Sequence, residues 1–74
     1  MRLTTEEIGH FAKKVRKYKG VTQSDLALTS GTGLRFVSDL ENGKSTCEIG
    51  KVLTVLQTLG VKIELTLPHT TVRV

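Results

Sequence analysis

The stretch GVTQSDLALTSGTGLRFVSDLENGK, residues 20–44, decides the fold of this chain. Thr22 and Asp25 have the spacing of a capping box, in which each side chain satisfies a backbone N–H group at the start of a helix. That helix is short, because Gly31 follows it where a turn requires a positive φ angle. A second short helix is expected over residues 34–42. The stretch therefore predicts two short helices joined by a tight glycine turn.

Longer helices are predicted on both sides of this stretch. Thr4 and Glu7 form another capping-box pattern ahead of apolar residues at helical spacing, which predicts a helix over residues 5–19. Ser45 and Glu48 repeat the pattern and predict the start of a fourth helix. The strongest apolar stripe of the chain then follows, made of Ile49, Val52, Leu53, Leu56 and Leu59.

The apolar period changes from 3.6 to 2 after residue 60. Residues 61–67 alternate apolar and polar side chains, which predicts a half-buried strand that Pro68 ends. Residues 68–74 are expected to form a short tail, although the strand-prone residues 70–74 leave a further strand open. Pro68-His69 is a poor two-residue hairpin turn. The strand is therefore expected to have no pairing partner within its own chain.

A strand edge with an apolar face and no partner favours self-association. We expect antiparallel pairing with the same strand of a second copy, in a register that sets apolar residues opposite apolar residues. A two-fold axis at Ile63 meets this condition. It places Lys62 opposite the partner's Glu64, and Val61 opposite the partner's Leu65.

Size and cysteine usage also favour a homodimer. A chain of 74 residues forms one domain with a small core, and such chains usually gain stability from disulfides, metals or association. The single cysteine, Cys47, excludes an internal disulfide and a cysteine-rich zinc site. No metal-ligand spacing and no nucleophile–base set is persuasive, so we expect no metal, no cofactor and no enzymatic activity. The absence of a leader or long apolar run indicates a cytoplasmic protein without a membrane partner.

The basic residues are concentrated in the first predicted helix. Eleven Lys and Arg against seven Asp and Glu give a net charge of +4, and five of the cations fall within seven residues: Lys13, Lys14, Arg16, Lys17 and Lys19. Such a run is either a solvated helix face or a patch that faces phosphate groups, and the sequence leaves both readings open.

Two short helices joined by a glycine turn, with a helix before and after, are the arrangement of a helix-turn-helix, whose second helix enters the major groove N-terminus first. Gln23 then presents its amide and the free N–H groups of its helix to phosphate. Leu34 and Arg35 project into the groove from the first turn of the second helix.

The pattern TQSDLA…G…V…LENGK resembles the helix-turn-helix of the lambdoid phage repressors and Cro proteins, the xenobiotic-response-element (XRE) family, over residues 8–60. The segments GLRFVSDLENGK (33–44) and KVLTVLQTLGVKIEL (51–65) also resemble the HipB-like antitoxins. These are small DNA-binding partners of HipA-like serine/threonine kinase toxins, and a terminal strand completes their dimer.

The resemblance implies a mainly α fold, a compact four-to-five-helix helix-turn-helix domain with a C-terminal β-strand that pairs in a dimer. The DNA-binding domain would span residues 1–60, the dimerisation strand 61–67 and the tail 68–74. The implied function is a sequence-specific repressor that acts as the antitoxin of a type II toxin–antitoxin system. It would bind inverted-repeat operator DNA, autoregulate its operon and bind a HipA-like kinase toxin. Two alternatives stay open: a stand-alone phage-type or chromosomal repressor, and a helix-turn-helix interaction module that does not bind DNA.

The resemblance also assigns roles to residues. Phosphate contacts fall on Thr22, Gln23, Asn42, Gly43 and Lys44, partly through the backbone near the last two. Base edges face Leu34, Arg35 and Asp39, with Ser38 close to the groove. Arg16 and Glu41 match a buried ion pair, and the dimerisation residues are Val61, Lys62, Ile63, Glu64 and Leu65.

Several positions depart from the family pattern or allow two readings. Gly33 replaces the usual Ser or Thr cap, so the second short helix starts with a weaker cap. Leu34 replaces a polar base reader, which implies apolar contact with a thymine methyl group. Asp39 either accepts a hydrogen bond from a cytosine amino group or only repels phosphate. Phe36 is expected in the core rather than at DNA.

Overall fold

The computed structural model describes residues 3–67 and the backbone of residues 70–73. Within these ranges, four helices precede two short strands: α1 (Thr5–Tyr18), α2 (Gln23–Ser30), α3 (Leu34–Glu41), α4 (Ile49–Thr58), β1 (Glu64–Leu67) and β2 (Thr70–Arg73). The predicted mainly helical class is confirmed. None of the helices in the described ranges is long and apolar enough to cross a membrane.

Side-chain caps fix the starts of the first two helices. Thr4 Oγ1 accepts a hydrogen bond from the Glu7 backbone N–H at 3.1 Å and begins α1. Thr22 Oγ1 accepts from the Asp25 backbone N–H at 3.0 Å, and the Asp25 carboxylate accepts from the Thr22 backbone N–H at 3.5 Å. The capping box predicted at α2 is therefore confirmed.

The capping box predicted for α4 is wrong. The helix begins at Ile49, with Glu48 as its N-cap residue and no side-chain capping hydrogen bond. Residues 42–48 form the connection from α3 to α4, and Ser45 lies in a turn of that connection. The Glu48 carboxylate instead pairs with Lys51 Nζ at 3.1 Å.

The core lies among the four helices, and all of them contribute to it. Its buried apolar residues are Ala12, Leu26, Ala27, Val37, Leu40, Val52, Val55, Leu56 and Leu59. Phe36 is half-buried and packs against this cluster, and Lys51 Nζ lies 5.8 Å from the centre of its ring. The core interpretation of Phe36 therefore agrees with its contacts.

Gly9 lies where α1 packs closely against the end of α3. A Cβ atom placed on Gly9 would overlap the backbone oxygen of Leu40 and would lie 2.9 Å from its carbonyl carbon. Only a residue without a side chain allows α1 to pack this closely on the end of α3. The sequence analysis did not identify this glycine.

The C-terminal strand differs from its prediction in extent and in pairing. It begins at Glu64, and it pairs in antiparallel fashion with β2, in a register that sets Glu64 opposite Arg73 and Leu67 opposite Thr70. The expectation that this strand has no partner in its own chain is therefore wrong, because β-branched residues after residue 69 form a second strand. Residues 68, 69 and 74 of the predicted tail lie outside the described residues.

The expected half-buried face is also absent from β1, since all four of its residues are exposed. The reason lies at the end of α4, where Gly60 has a φ angle of +78°. The Val61 backbone N–H donates to the Leu56 carbonyl at 2.9 Å, which holds residue 61 in the helix-terminating turn. Val61 and Ile63 then pack against the core before the strand begins.

Candidate nucleic-acid interface

The turn between α2 and α3 depends on two glycines. Gly31 is the C-cap of α2, with a φ angle of +71° and a backbone N–H that donates to the Ala27 carbonyl at 3.0 Å. Gly33 has a φ angle of +94° and begins α3 without a side-chain cap. The predicted positive φ at Gly31 and the weak cap at Gly33 are confirmed. The turn packs α2 on α3, with Ala27 buried in the core.

One face of α3 is buried and the opposite face is open. Val37 and Leu40 are buried on the inner face. The three predicted base-reading residues and the neighbouring Ser38 lie toward the open face, where Leu34 and Arg35 are exposed and Ser38 and Asp39 are partly exposed. The Arg35 side chain is 93% exposed. An accessible guanidinium on the first turn of a helix is the arrangement that a guanine contact in the major groove requires.

A buried ion pair connects α1 to the end of α3. Arg16 Nε donates to Glu41 Oε2 at 2.6 Å, and Nη2 donates to Oε1 at 2.9 Å. Arg16 Nη1 also donates to the Val21 carbonyl at 2.8 Å. The side chains of Arg16 and Glu41 are 9% and 1% exposed. The two-point contact with Glu41 fixes the orientation of both groups, and the hydrogen bond to Val21 attaches the segment before α2 to α1.

Gln23 joins the same network at the start of α2. Its Nε2 donates to Glu41 Oε1 at 3.0 Å, so the carboxylate accepts hydrogen bonds from both α1 and α2. A side-chain amide has two N–H donors, and the second remains for an outside acceptor. The sequence pattern did not predict this contact. It means that a phosphate bound by Gln23 would be held by a side chain already oriented by Glu41.

The pKa values of the pair follow from competing causes. Burial raises the pKa of the Glu41 carboxyl, but the hydrogen bonds from Arg16 and Gln23, with the charges of Arg16 and Lys13, outweigh it and lower the pKa overall. The hydrogen bond to Glu41 raises the pKa of Arg16 against the opposing effect of burial. Both groups are therefore charged at neutral pH.

The end of α3 positions the remaining candidate phosphate contacts. Gly43, with a φ angle of +81°, lets the chain turn so that its N–H donates to the Leu40 carbonyl and the Lys44 N–H donates to the Asp39 carbonyl, both at 3.0 Å. The Asn42 N–H donates to the Ser38 carbonyl. Since these backbone donors are already used within the chain, the side chains of Asn42 and Lys44 are the available phosphate donors.

The charges on the open face of α3 form a cluster that the sequence analysis missed. Asp39 Oδ2 lies 3.5 Å from Lys44 Nζ and 4.0 Å from Arg35 Nε. Asp39 is therefore next to both of the cations expected at DNA.

The basic run of α1 does not form one patch. Arg16 is buried in the ion pair, and Lys13 is close enough to Glu41 for its charge to lower the pKa of that carboxyl. Lys19 Nζ lies near Gly60 at the end of α4. The run is therefore distributed around the helix, and one of its members has a structural role.

Comparison with known families identifies the fold. The helix-turn-helix family HTH_3 matches residues 13–65, which is more than half of the chain. The chain belongs to the HTH_3 family. Its HTH_3 domain is of the XRE type, and the predicted XRE-type helix-turn-helix is confirmed.

A curated relative supports the same class of function. This HTH_3 protein is 51% identical over 65 residues to y4mF, an HTH-type transcriptional regulator of Sinorhizobium fredii (strain NBRC 101917 / NGR234). The alignment covers 88% of this chain and 86% of the relative. The HTH_3 protein is thus a DNA-binding transcriptional regulator of the XRE type.

Solved structures of HipB complexes share the fold. A HipA-HipB-O2-O3 complex matches this HTH_3 protein with a TM-score of 0.82 and 25% identity, over 92% of this chain and 96% of that chain. A HipB-O4 20mer complex matches with a TM-score of 0.81 and 25% identity over the same shares. The predicted similarity to HipB-like antitoxins is confirmed at the level of structure.

Proposed function

We propose that this protein is a dimeric, sequence-specific repressor that inserts α3 into the major groove and acts as the antitoxin of a type II toxin–antitoxin pair. In this role it binds inverted-repeat operator DNA in its own operon and binds a HipA-like kinase toxin. The observation that carries the DNA-binding part is the open face of α3, with an exposed Arg35 on its first turn.

The base contacts follow from the chemistry of that face. The Arg35 guanidinium donates two parallel hydrogen bonds to O6 and N7 of guanine. Leu34 offers an apolar surface for a thymine methyl group, and Ser38 and Asp39 line the next turn.

Phosphate contacts lie at both ends of the helix-turn-helix, at the start of α2 and after the end of α3. Thr22 Oγ1 accepts from the Asp25 N–H, so its hydroxyl proton is available to a phosphate beside the N-terminus of α2. Gln23 contributes its second amide N–H. At the other end, Asn42 and Lys44 donate from the turn that Gly43 makes.

Arg35→Ala tests the guanine contact. It should weaken binding to a specific duplex by about 1–3 kcal/mol and relax the base preference at one position per half-site. Arg35→Lys is the matched control, because it keeps the charge but loses the two-point geometry. Fluorescence anisotropy measures the affinity of both variants for a specific duplex and for a scrambled duplex. Equal weakening on the two duplexes would make Arg35 a phosphate contact.

An apolar groove supports the homodimer. It has a volume of about 650 Å³, lies between α1, α4 and the segment that leads into β1, and has Leu3, Phe11, Ile49 and Leu65 among its lining residues. These four side chains are 50% or more exposed. Apolar surface of this extent favours association.

The dimer contact proposed at residues 61–65 covers this groove. β1 pairs with β2 along one edge, and its other edge has no strand beside it within the described residues. The contact between copies would involve Val61, Lys62, Ile63, Glu64 and Leu65, with the Val61 N–H excluded from a backbone ladder because it already donates to the Leu56 carbonyl. Since Val61 and Ile63 already pack on the core, Leu65 is the residue that gains most burial.

Leu65→Lys should shift the protein from dimer to monomer. The loss is about 1.5 kcal/mol or more for each Leu65 that leaves an apolar contact, and each added charge would be placed against the partner's Val61 in an apolar contact. Analytical ultracentrifugation measures the shift from dimer to monomer, and duplex titration measures the resulting loss of DNA affinity. Leu28→Lys is the matched control, because Leu28 is 83% exposed on α2 and does not line the groove. A Leu65→Lys dimer of parental strength would place the interface elsewhere.

The antitoxin role has support from the HipA-HipB-O2-O3 complex, in which a structurally similar chain is assembled with HipA. We expect the reading frame beside this one to encode a kinase-like protein that copurifies with this chain. Coexpression should relieve growth arrest by that kinase, and Arg35→Ala should relieve it equally, because DNA reading and toxin binding are separate activities.

A stand-alone repressor is the second candidate, and it is compatible with the relative y4mF, an uncharacterized HTH-type transcriptional regulator. Intact operator binding without kinase binding, or without relief of growth arrest, would select this candidate over the antitoxin.

A further inference from the structure

We propose that Asp39 sets the DNA specificity of this protein by orienting Arg35 for its base contact and by weakening the binding of random DNA. The inference rests on the proposed function and assigns Asp39 a positioning role.

The backbone fixes the carboxylate between two cations. Arg35 and Asp39 are four residues apart on α3, which places them on the same side of consecutive turns, with Nε and Oδ2 4.0 Å apart. Lys44 is held on the other side by the hydrogen bond from its N–H to the Asp39 carbonyl, and its Nζ lies 3.5 Å from Oδ2. Asp39 is 33% exposed, so its charge also reaches the open face.

This geometry leaves the terminal end of the Arg35 guanidinium free to bind a base. The guanidinium faces Asp39 with Nε, while its two terminal nitrogens remain for O6 and N7 of guanine. Within the described residues, Asp39 is the one charged group paired with this 93% exposed side chain. An orienting carboxylate reduces the side-chain freedom that Arg35 loses when it binds a base.

The same carboxylate acts against random DNA. It offsets part of the charge of Arg35 and Lys44 and repels nearby phosphates. This repulsion acts on both kinds of duplex, but on a correct half-site the guanine contact that Asp39 orients more than offsets it, whereas on random sequence only the repulsion remains. Specificity obtained by weakening the wrong complexes is a common device in recognition.

A double-mutant cycle tests the proposal. The titrations compare four proteins at one salt concentration: the parent, Asp39→Asn, Arg35→Ala and the double variant. The probes are a duplex that the parent protein enriches from a random pool and a scrambled duplex of equal length. Asp39→Asn should weaken the enriched duplex about five- to tenfold and tighten the scrambled duplex about two- to fivefold. In the Arg35→Ala background no base contact remains to be oriented, so Asp39→Asn should no longer weaken the enriched duplex and should tighten it about two- to fivefold, as it does the scrambled duplex. The thermal midpoint should stay unchanged, since exposed ion pairs contribute little stability.

Two outcomes would overturn the proposal while DNA binding itself stands. Additive effects of the two substitutions would mean that Asp39 contacts a base, such as a cytosine amino group, independently of Arg35. Equal tightening on both duplexes would reduce Asp39 to a simple repulsive charge. Failure of the parent protein to enrich any duplex would instead overturn the proposed function and this inference together.

Discussion

Arg16→Ala should lower the free energy of unfolding by about 3–5 kcal/mol, because it leaves the Glu41 carboxylate buried without its main partner. Glu41 would keep only the hydrogen bond from Gln23, at a site where its side chain is 1% exposed. The Val21 carbonyl would also lose the donor that holds the chain ahead of α2. For a chain of this size the loss is a large fraction of the total stability.

Urea titration followed by circular dichroism measures this change. Lys17→Ala is the matched control, because Lys17 is the next residue of α1 and is exposed. The double variant Arg16→Met with Glu41→Leu should recover much of the loss, since it removes both charges and retains volume. Parental stability in Arg16→Ala would show that the pair contributes nothing to the fold.

The pH dependence has a defined sign. Because the folded pKa of Glu41 is lowered, its stabilising contribution is present above the ordinary carboxyl pKa and is lost as pH falls through the lower folded pKa. The raised pKa of Arg16 acts only at the alkaline extreme, beyond the usable range. The stability difference between the parent and Arg16→Ala should therefore narrow on acidification.

Gly9→Ala should destabilise the protein at or above the upper end of the range of about 1–3 kcal/mol found for overpacked sites. The added methyl group would overlap the Leu40 backbone oxygen, which cannot move without shifting the end of α3. Since Glu41 follows Leu40, the shift would also strain the ion pair. Thermal unfolding measures the stability, and duplex binding should weaken in parallel.

Gly50→Ala is a control with the opposite expected sign. Gly50 lies in α4 with no atom within 4 Å of an added Cβ, and its φ angle is not positive. Alanine there should stabilise the helix by about 0.4–1 kcal/mol. If the two alanine variants had equal stability, the close approach of α1 and α3 would not be a real constraint.

The helices around the glycine turn could be predicted because their signals are local. Capping residues and apolar spacing lie within a few positions of each other, as at Thr22 and Asp25. The Arg16–Glu41 pair joins residues 25 positions apart, and only the family resemblance indicated it. Gly9 was missed because a glycine inside a helix gives no sequence signal of a neighbour packed against it.

The C-terminal segment was harder to predict for a different physical reason. Alternation at residues 61–67 cannot tell whether an apolar residue packs on a helix end, as Val61 does, or on a strand face. The partner of β1 is β2, which follows Pro68-His69. That dipeptide is unfavourable for a hairpin turn, although the residues after it favour a strand. The capping box predicted for α4 was wrong because the connection from α3 extends to Glu48, and the length of that connection sets where the helix begins.

Selection from a random duplex pool by the purified 74-residue chain, followed by sequencing, tests the DNA-reading dimer most directly. A two-fold dimer that presents two copies of α3 to one side of the duplex should enrich an inverted repeat. Its half-site centres should lie one helical turn apart, about 34–36 Å. A pool that remains as random after selection as before it, or an enriched motif with a single unrepeated half-site, would contradict the proposed dimeric reader.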